Sequence, residues 1–463
     1  MELACQSLEA EFYQPRKPRE SPFYQLVEHY YDEFERVYPQ RYEKKYGFWR
    51  PVIGDAVAKF LRCGDVREGF ARVRCPDCTH EFFVAFSCRQ RCMCPSCHQK
   101  RGLMTAIHVA ENVCEKVPHR QYVFTIPKRL RIFFRFDRKL LGRLCRRVWE
   151  TIVEVVQAIL DRDDVTPGMV GGIQTHGELI HYHPHVHTVT TDGAFTEDGT
   201  FIPLPEVSAE PFLKIWEEKV FQLLLREKKI QQSLIDDMRN WRHSGFSVDK
   251  SVYLPAADFV GIEKLVQYIV RCPFSLGRMI NVSGDGKVVY RAEHKDCRKF
   301  PMPASKDLKN GVARNFQVFD PLDFLAEVTQ HIPEKGEHLI RYYGWYSNKS
   351  RGLRNKSAAV ASETVQIVID EEDTPHRKQC RMRWAALIQR VHEVDPLKCP
   401  KCGGKMKIIS FIEKRQTDVI EKILKHCGLW IDPRDRSPPA TRFYDQLDLE
   451  LQYVNCEDVL MDF

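Results

Sequence analysis

Runs of β-branched and aromatic residues bounded by prolines, glycines and turn pairs mark the strands of this chain, and apolar residues at three- and four-residue spacing mark its helices. Gln121-Tyr122-Val123-Phe124-Thr125-Ile126, closed by Pro127, reads as a strand. A second is expected near Val170–Leu179, flanked by Gly168 and the pair Gly171-Gly172. A third runs from about His183 to Thr191 and ends at the turn Asp192-Gly193. These last two suit an antiparallel pair. Helical spacing runs from Phe23 to Tyr38, through Leu103, Ala106, Val109 and Val113, and over Val148–Leu160. Another helix opens at Asp258 or Ala257, runs to about Arg271 and stops at Pro273. Residues 205–243 read as charged helices forming an insertion. Gly245–Val248 and Ser251–Leu254 look like strand again, and Ser283-Gly284-Asp285-Gly286 carries a hairpin signal. After Phe300 the pattern is more helical, with an acidic linker at 361–375.

The third strand holds most of the chemistry. Five histidines fall between His176 and His187: His176, His181, His183, His185 and His187. Alternate side chains of a strand share a face, so His185 and His187 point the same way with Val186 behind them. Two imidazoles on one face are a start for a metal site; a His-rich exposed loop is the alternative. On the neighbouring strand Gln174 and His176 share one face, and either is a candidate third ligand that leaves positions open for a phosphate oxygen. Such a mixed nitrogen and oxygen set suits magnesium or manganese acting as a Lewis acid. Near the end of its helix, Tyr268 offers a phenol able to attack phosphorus, helped by a metal or by Arg271 or Arg278. A lone helix tyrosine is also an ordinary core or surface residue, and this pattern alone leaves both readings open.

Two C-x2-C pairs, Cys75-Pro76-Asp77-Cys78 and Cys94-Pro95-Ser96-Cys97, supply the four thiolates of a closed, structural zinc site, with a small strand at Glu81–Phe86 between them. A third pair, Cys399-Pro400-Lys401-Cys402, reads as half of a second zinc site, with His426, Cys427 and Cys380 as candidate partners. Cys63 and Cys88 could join a second metal site or be ordinary buried thiols. The chain has 463 residues, enough for two or three domains, and 17 cysteines. There is no apolar run long enough to span a membrane and no signal-peptide pattern, which predicts a cytoplasmic protein with reduced or metal-bound thiols. Net charge is +7. Nine basic residues between Lys128 and Arg147, Arg129 and Arg131 among them, face a single acid, Asp137. This suits a polyanion or a solvated helix face. Arg341-Tyr342-Tyr343-Gly344-Trp345, continued by Lys349 and Arg351, interleaves aromatics and cations as single-strand binders do, or packs its aromatics in a core.

His185-Val186-His187 followed by Tyr268 resembles the HUH endonucleases. With Arg74–Cys78, Cys94–Cys97, Val117–Val123, Tyr268–Pro273, Arg341–Gly344 and Asp395–Gly404 in this order, the chain resembles the rolling-circle transposases of the insertion sequence ninety-one family and their common-region relatives. The resemblance implies an α+β fold: a central antiparallel sheet with the histidines on a central strand and the tyrosine helix across it, a small zinc-binding domain before it and a mainly helical region after it. The expected boundaries are 1–116, 117–300 and 301–463. It also implies that His185 and His187 bind the catalytic metal and that Tyr268 nicks single-stranded DNA at mobile-element termini through a 5′-phosphotyrosine; Gln174 as third ligand and Mg2+ or Mn2+ as the metal remain the reading of the residues themselves. Lys264 and Cys272 stand one turn either side of Tyr268, which places the chain on the single-tyrosine branch. Arg129, Arg131, Arg271, Arg278, Arg341, Tyr343, Trp345, Lys349 and Arg351 are the candidate DNA contacts, and the place of action is the bacterial nucleoid. A plasmid or phage replication initiator, a relaxase using the same nick, and a non-enzymatic zinc-dependent DNA-binding regulator are the competing readings.

Overall fold

The structure, a computed structural model, describes residues 17–282, 287–292, 298–300, 312–360, 397–430 and 453–454. The start of the N-terminal arm, the expected turn at 283–286, the acidic stretch 361–375 and Cys380 lie outside them. The fold is α+β, with antiparallel sheets, and the chain divides into two compact units. One unit takes residues 1–29, 57–90 and 364–442; the other takes 30–56, 91–363 and 443–463.

The first unit centres on a three-stranded sheet. β1 (Gly69–Arg74) lies in the middle, with β2 (Glu81–Ala85) on one side and a C-terminal strand, Lys407–Glu413, on the other. Phe70, Ile412, Ile420 and Leu424 form its buried apolar layer. Three of these four come from beyond residue 406, so the C-terminal segment belongs to this core.

The second unit is built on a larger antiparallel sheet of β3 (His119–Thr125), β4 (Gly168–His176), β5 (Tyr182–Thr191), β6 (Ser247–Asp249), β7 (Tyr253–Leu254) and β8 (Ile340–Gly344). The order is β8-β4-β5-β3-β6, with β7 also on β3. The helices that cover it are α1 (Pro95–Asn112), α2 (Lys139–Leu160), α3 (Glu210–Arg226) and α4 (Phe259–Ile269); α5 (Asn348–Val360) follows β8. Alternation along the strands sorts the two faces. Tyr122, Phe124, Ile173 and Val186 point into one apolar layer, against Leu144, Val148 and Ile152 of α2 and Trp216 and Val220 of α3. Val170 and Val189 point into the other, against Ala106 and Val109 of α1 and Ile262, Leu265, Val266 and Ile269 of α4. Each such buried side chain contributes about 1.5–3 kcal/mol.

The glycines expected to flank the second strand lie inside it. A Cβ on Gly171 would stand 2.8 Å from Cys145 Sγ, and one on Gly172 would stand 2.0 Å from Ile269 Cγ2. The bare backbone at these two positions lets a helix close on each face. Beyond residue 300 the expected helical pattern is interrupted by strands, β8 among them.

Candidate active site

The register of the sheet gathers the expected ligands. Gln174 of β4 lies directly opposite His185 of β5, and Gly172 lies opposite His187. Cross-strand partners share a face, so Gln174, His185 and His187 line the face covered by α4. On β5 the His185 and His187 rings are 4.7 Å apart, centre to centre. Between β4 and β3, β5 has a neighbour on each side, so its backbone polar groups are spent in the sheet and its imidazoles are free for chemistry.

Each imidazole is oriented by a partner at its other nitrogen. His185 Nδ1 donates to the His183 carbonyl at 2.7 Å, because a carbonyl can only accept. The lone pair of His185 therefore lies on Nε2. The Gln121 amide stands 3.0 Å from His187 Nδ1, so the Gln121 side chain sets that tautomer. The Gln121 NH2 faces Nδ1 and can only donate to it; a cation bound at Nε2 of His187 requires this amide turned over, its oxygen accepting from Nδ1–H. That Nε2 is buried and has no hydrogen-bond partner. Burial lowers the His185 pKa to about 4 and the His187 pKa to about 2, so both rings are neutral at neutral pH, as metal ligands must be.

Gln174 has an unambiguous amide orientation. Its Nε2 donates to the backbone carbonyls of Tyr268 (3.0 Å) and Ile269 (2.7 Å), and only the NH2 end can do that. Its Oε1 is buried without a partner. One end of this amide holds the end of the tyrosine helix and the other is an oxygen donor left over. His176, the other candidate third ligand, pairs instead across from Tyr182, with its ring edge-on to His331 at 5.9 Å. Orphaned, buried donors on two of the three residues fit a divalent cation with mixed nitrogen and oxygen ligands.

Helix α4 delivers the phenol. Asp258 caps it, its side chain accepting from Gly261 N at 2.8 Å. Ile262, Leu265, Val266 and Ile269 recur at helical spacing and form the buried stripe. Tyr268 precedes the last of these by one residue, about 100° round the helix, and stays 45% exposed. Its ring stands edge-on to His187, centroids 5.5 Å apart at 89°. The Arg271 guanidinium lies 4.5 Å over the same ring. Gly172 makes this approach feasible, since any side chain there would strike Ile269 beside the tyrosine.

Residues 168–357, which contain all of these groups except Gln121, match the family model described as a putative transposase. Residues 33–126 match that of a transposase zinc-binding domain. The transposase for insertion sequence element IS801 of Pseudomonas savastanoi pv. phaseolicola is 25% identical over 374 residues, spanning 78% of this chain and 84% of that protein. The putative transposase y4qJ of Sinorhizobium fredii (strain NBRC 101917 / NGR234) is 23% identical over 360 residues, spanning 73% and 84%. The chain belongs to the insertion sequence ninety-one family of transposases. No solved structure matches it.

The transposase spends many of its expected DNA contacts internally. Pairing of β8 with β4 draws Arg341 and Tyr343 into the sheet. Tyr343 stacks on Trp149 at 5.7 Å, and Trp345 stacks on Phe195 at 4.4 Å with the Arg354 guanidinium 4.1 Å from its ring centre. These ring faces are packed against protein. Arg341 lies against Gly142, and Arg278 donates to the backbone carbonyls of Arg291 and Glu178. Arg351 donates to the Tyr346 carbonyl, and Arg131 to that of Ile126. In the basic segment Arg129 pairs with Asp237, Arg138 with Glu337, Arg143 with Glu227, and Arg146 and Arg147 with Glu150. Lys349, at the start of α5, is exposed. Among the described residues no helix is long and apolar enough to cross a membrane.

The cysteines group differently from their expected pairing. The sulfurs of Cys75, Cys78, Cys399 and Cys402 lie within 4.8 Å of one another. Cys75 and Cys78 thus lie with the C-terminal pair and not with Cys94 and Cys97. The reason is strand direction. The first knuckle sits at the Arg74 end of β1, and β2 carries the chain back along β1, away from it. The C-terminal strand begins at that same end, with Lys407 opposite Arg74. Cys94 and Cys97 are buried at the start of α1, in the other unit. The zinc-binding domain and the grouped thiols establish zinc as the structural metal of this transposase.

Proposed function

We propose that this transposase nicks and rejoins single-stranded DNA at the ends of its mobile element by a rolling-circle route, through a 5′-phosphotyrosine on Tyr268. The observation that carries the reading is the placement of the Tyr268 ring beside His187, on a helix whose last carbonyls are gripped by Gln174. His185, His187 and Gln174 are the residues that would hold Mg2+ or Mn2+, which supplies Lewis-acid polarisation of the scissile phosphate. The Tyr268 oxygen attacks phosphorus and the bond to the 3′ oxygen breaks. The phenol gives up its proton, and the departing 3′ oxygen takes one up. The phosphotyrosine ester conserves the bond, and attack by a 3′-OH reverses the step to rejoin a strand. Arg271, over the ring, is placed to meet the phosphate charge. Arg129 and Lys349 are the most accessible of the expected DNA contacts. The site of action is then the cytoplasm, at the nucleoid.

A labelled single-stranded oligonucleotide carrying an element end, incubated with Mg2+ or Mn2+, tests the proposal. Covalent protein–DNA adduct is expected with the unsubstituted protein and none with Tyr268→Phe, which retains binding. Mobility shift without adduct in the unsubstituted protein contradicts the enzymatic reading and favours a DNA-binding regulator.

A further inference from the structure

The C-terminal Cys399–Cys402 pair lies outside both segments matched by the family models, which end at residues 126 and 357. Its geometry is nonetheless that of Cys75–Cys78, repeated. In the first knuckle Cys75 N donates to the His80 carbonyl at 2.8 Å, and Thr79 N donates to the Cys75 carbonyl at 3.1 Å. In the second, Cys399 N donates to the Gly404 carbonyl at 2.8 Å, and Gly403 N to the Cys399 carbonyl at 2.9 Å. Thr79 and Gly403, at equivalent places, both have left-handed backbone, with φ 59° and 72°. Each knuckle is bracketed by one antiparallel contact, Arg74 opposite Glu81 and Lys398 opposite Lys405. In each, the second sulfur accepts a backbone N–H from two residues on: Cys78 from His80, and Cys402 from Gly404.

The two halves face each other closely. Cys75 Sγ is 3.5 Å from Cys402 Sγ, and Cys78 Sγ is 3.5 Å from Cys399 Sγ. Zinc–sulfur bonds of about 2.3 Å put the sulfurs of a tetrahedral tetrathiolate ~3.8 Å apart. Gly404 permits the approach, because a Cβ there would stand 2.2 Å from Asp77 Oδ2. Val73 and Met406 are buried around the sulfurs, with Phe82, Leu397 and Ile408 packed alongside.

We infer that Cys75, Cys78, Cys399 and Cys402 bind one zinc ion that clasps the C-terminal segment onto the N-terminal module. The ion joins cysteines up to 327 residues apart in the chain. It fastens the end of the Lys407–Glu413 strand against β1, so the fold of the module depends on residues far outside the segment its family model covers. The site is closed by four thiolates, with no position open to substrate, and its role is structural.

Zinc per chain in the purified full-length protein, measured by mass spectrometry of the metal, tests this. Cys402→Ser is expected to lose one zinc ion, Cys78→Ser the same ion, and the Cys78→Ser/Cys402→Ser double variant no more than either single one. Unchanged zinc in Cys402→Ser, or additive losses in the double variant, overturns the inference. Serine variants can unfold, so the unsubstituted protein carries a second measurement. Thiol alkylation mapped by peptide mass should find Cys75, Cys78, Cys399 and Cys402 protected before chelation and reactive together as zinc is withdrawn. Alkylation of Cys399 and Cys402 before chelation, at the rate of exposed Cys427, is the contrary result.

Discussion

In the histidine site the donors come from two strands that are neighbours in sequence, β4 and β5, and the phenol from a helix that begins at Phe259. In the cysteine site the two halves stand 321 and 327 residues apart and meet only because a C-terminal strand pairs with β1. The first is a local assembly whose ligands are set by strand register. The second is a closure between distant parts of the chain. The chemistry differs accordingly. The histidine site keeps unpaired donors and a half-exposed phenol at the edge of a core. The cysteine site uses all of its donors on itself. A local arrangement can be tuned by single side chains around it, whereas a long-range clasp stands or falls as a whole.

The largest expected effect tests the local site at its reacting atom: Tyr268→Phe leaves DNA binding intact and takes covalent adduct to background in a gel assay. Next, His187→Ala removes metal-dependent cleavage, followed as product formed against added Mg2+ or Mn2+; full activity would show that the paired imidazoles are not a metal site. Gln121→Ala probes tuning from outside the ligand set. Losing the group that fixes the His187 tautomer should weaken metal affinity by about 10- to 100-fold, read from the same titration, with zinc content unchanged.

Gly172→Ala sharpens the comparison by moving α4 rather than a donor. The added methyl meets Ile269 and should cost about 1–3 kcal/mol in urea unfolding, with adduct formation reduced because Tyr268 shifts away from His187. A separate readout of the same unit is its stability at acid pH. Burial lowers the pKa of His119 to about 4 and that of His331 to about 3. In the unfolded chain both titrate near 6.5. Below that pH the unfolded state binds protons that the folded state refuses, so the urea midpoint should be flat above pH 6.5 and fall as pH drops toward 4. A midpoint that rises in this window would contradict the burial of these rings.

The local site was legible because its signals are short-range. The His-x-His step fixes a face, and one antiparallel neighbour brings Gln174 to His185. The spacing of Ile262, Leu265, Val266 and Ile269 fixes the helix that carries Tyr268. What pattern did not supply was Gln121 as the partner of His187, because it reaches diagonally across from β3, where its strand opposite is Val189. The glycines of β4 misled for a related reason. In a strand covered on both faces a missing side chain is room for a helix, whereas in sequence it reads as a turn. The segment from Arg341 to Trp345 stays open in sequence between DNA contact and core packing, because composition does not distinguish exposed aromatics and arginines from those that pack on Trp149 and Phe195. The partner of Cys75–Cys78 was beyond spacing altogether: the nearer pair, Cys94–Cys97, satisfies the usual gap, and only the direction of β2 shows that the chain leaves the knuckle before reaching it.

The most direct measurement is peptide mapping of the covalent adduct formed on a single-stranded element end in the presence of Mg2+ or Mn2+. The account predicts that the nucleotide mass sits on the peptide containing Tyr268. A nucleotide-bearing peptide from elsewhere in the chain, or cleavage that leaves a free 5′ phosphate and no adduct, would contradict it.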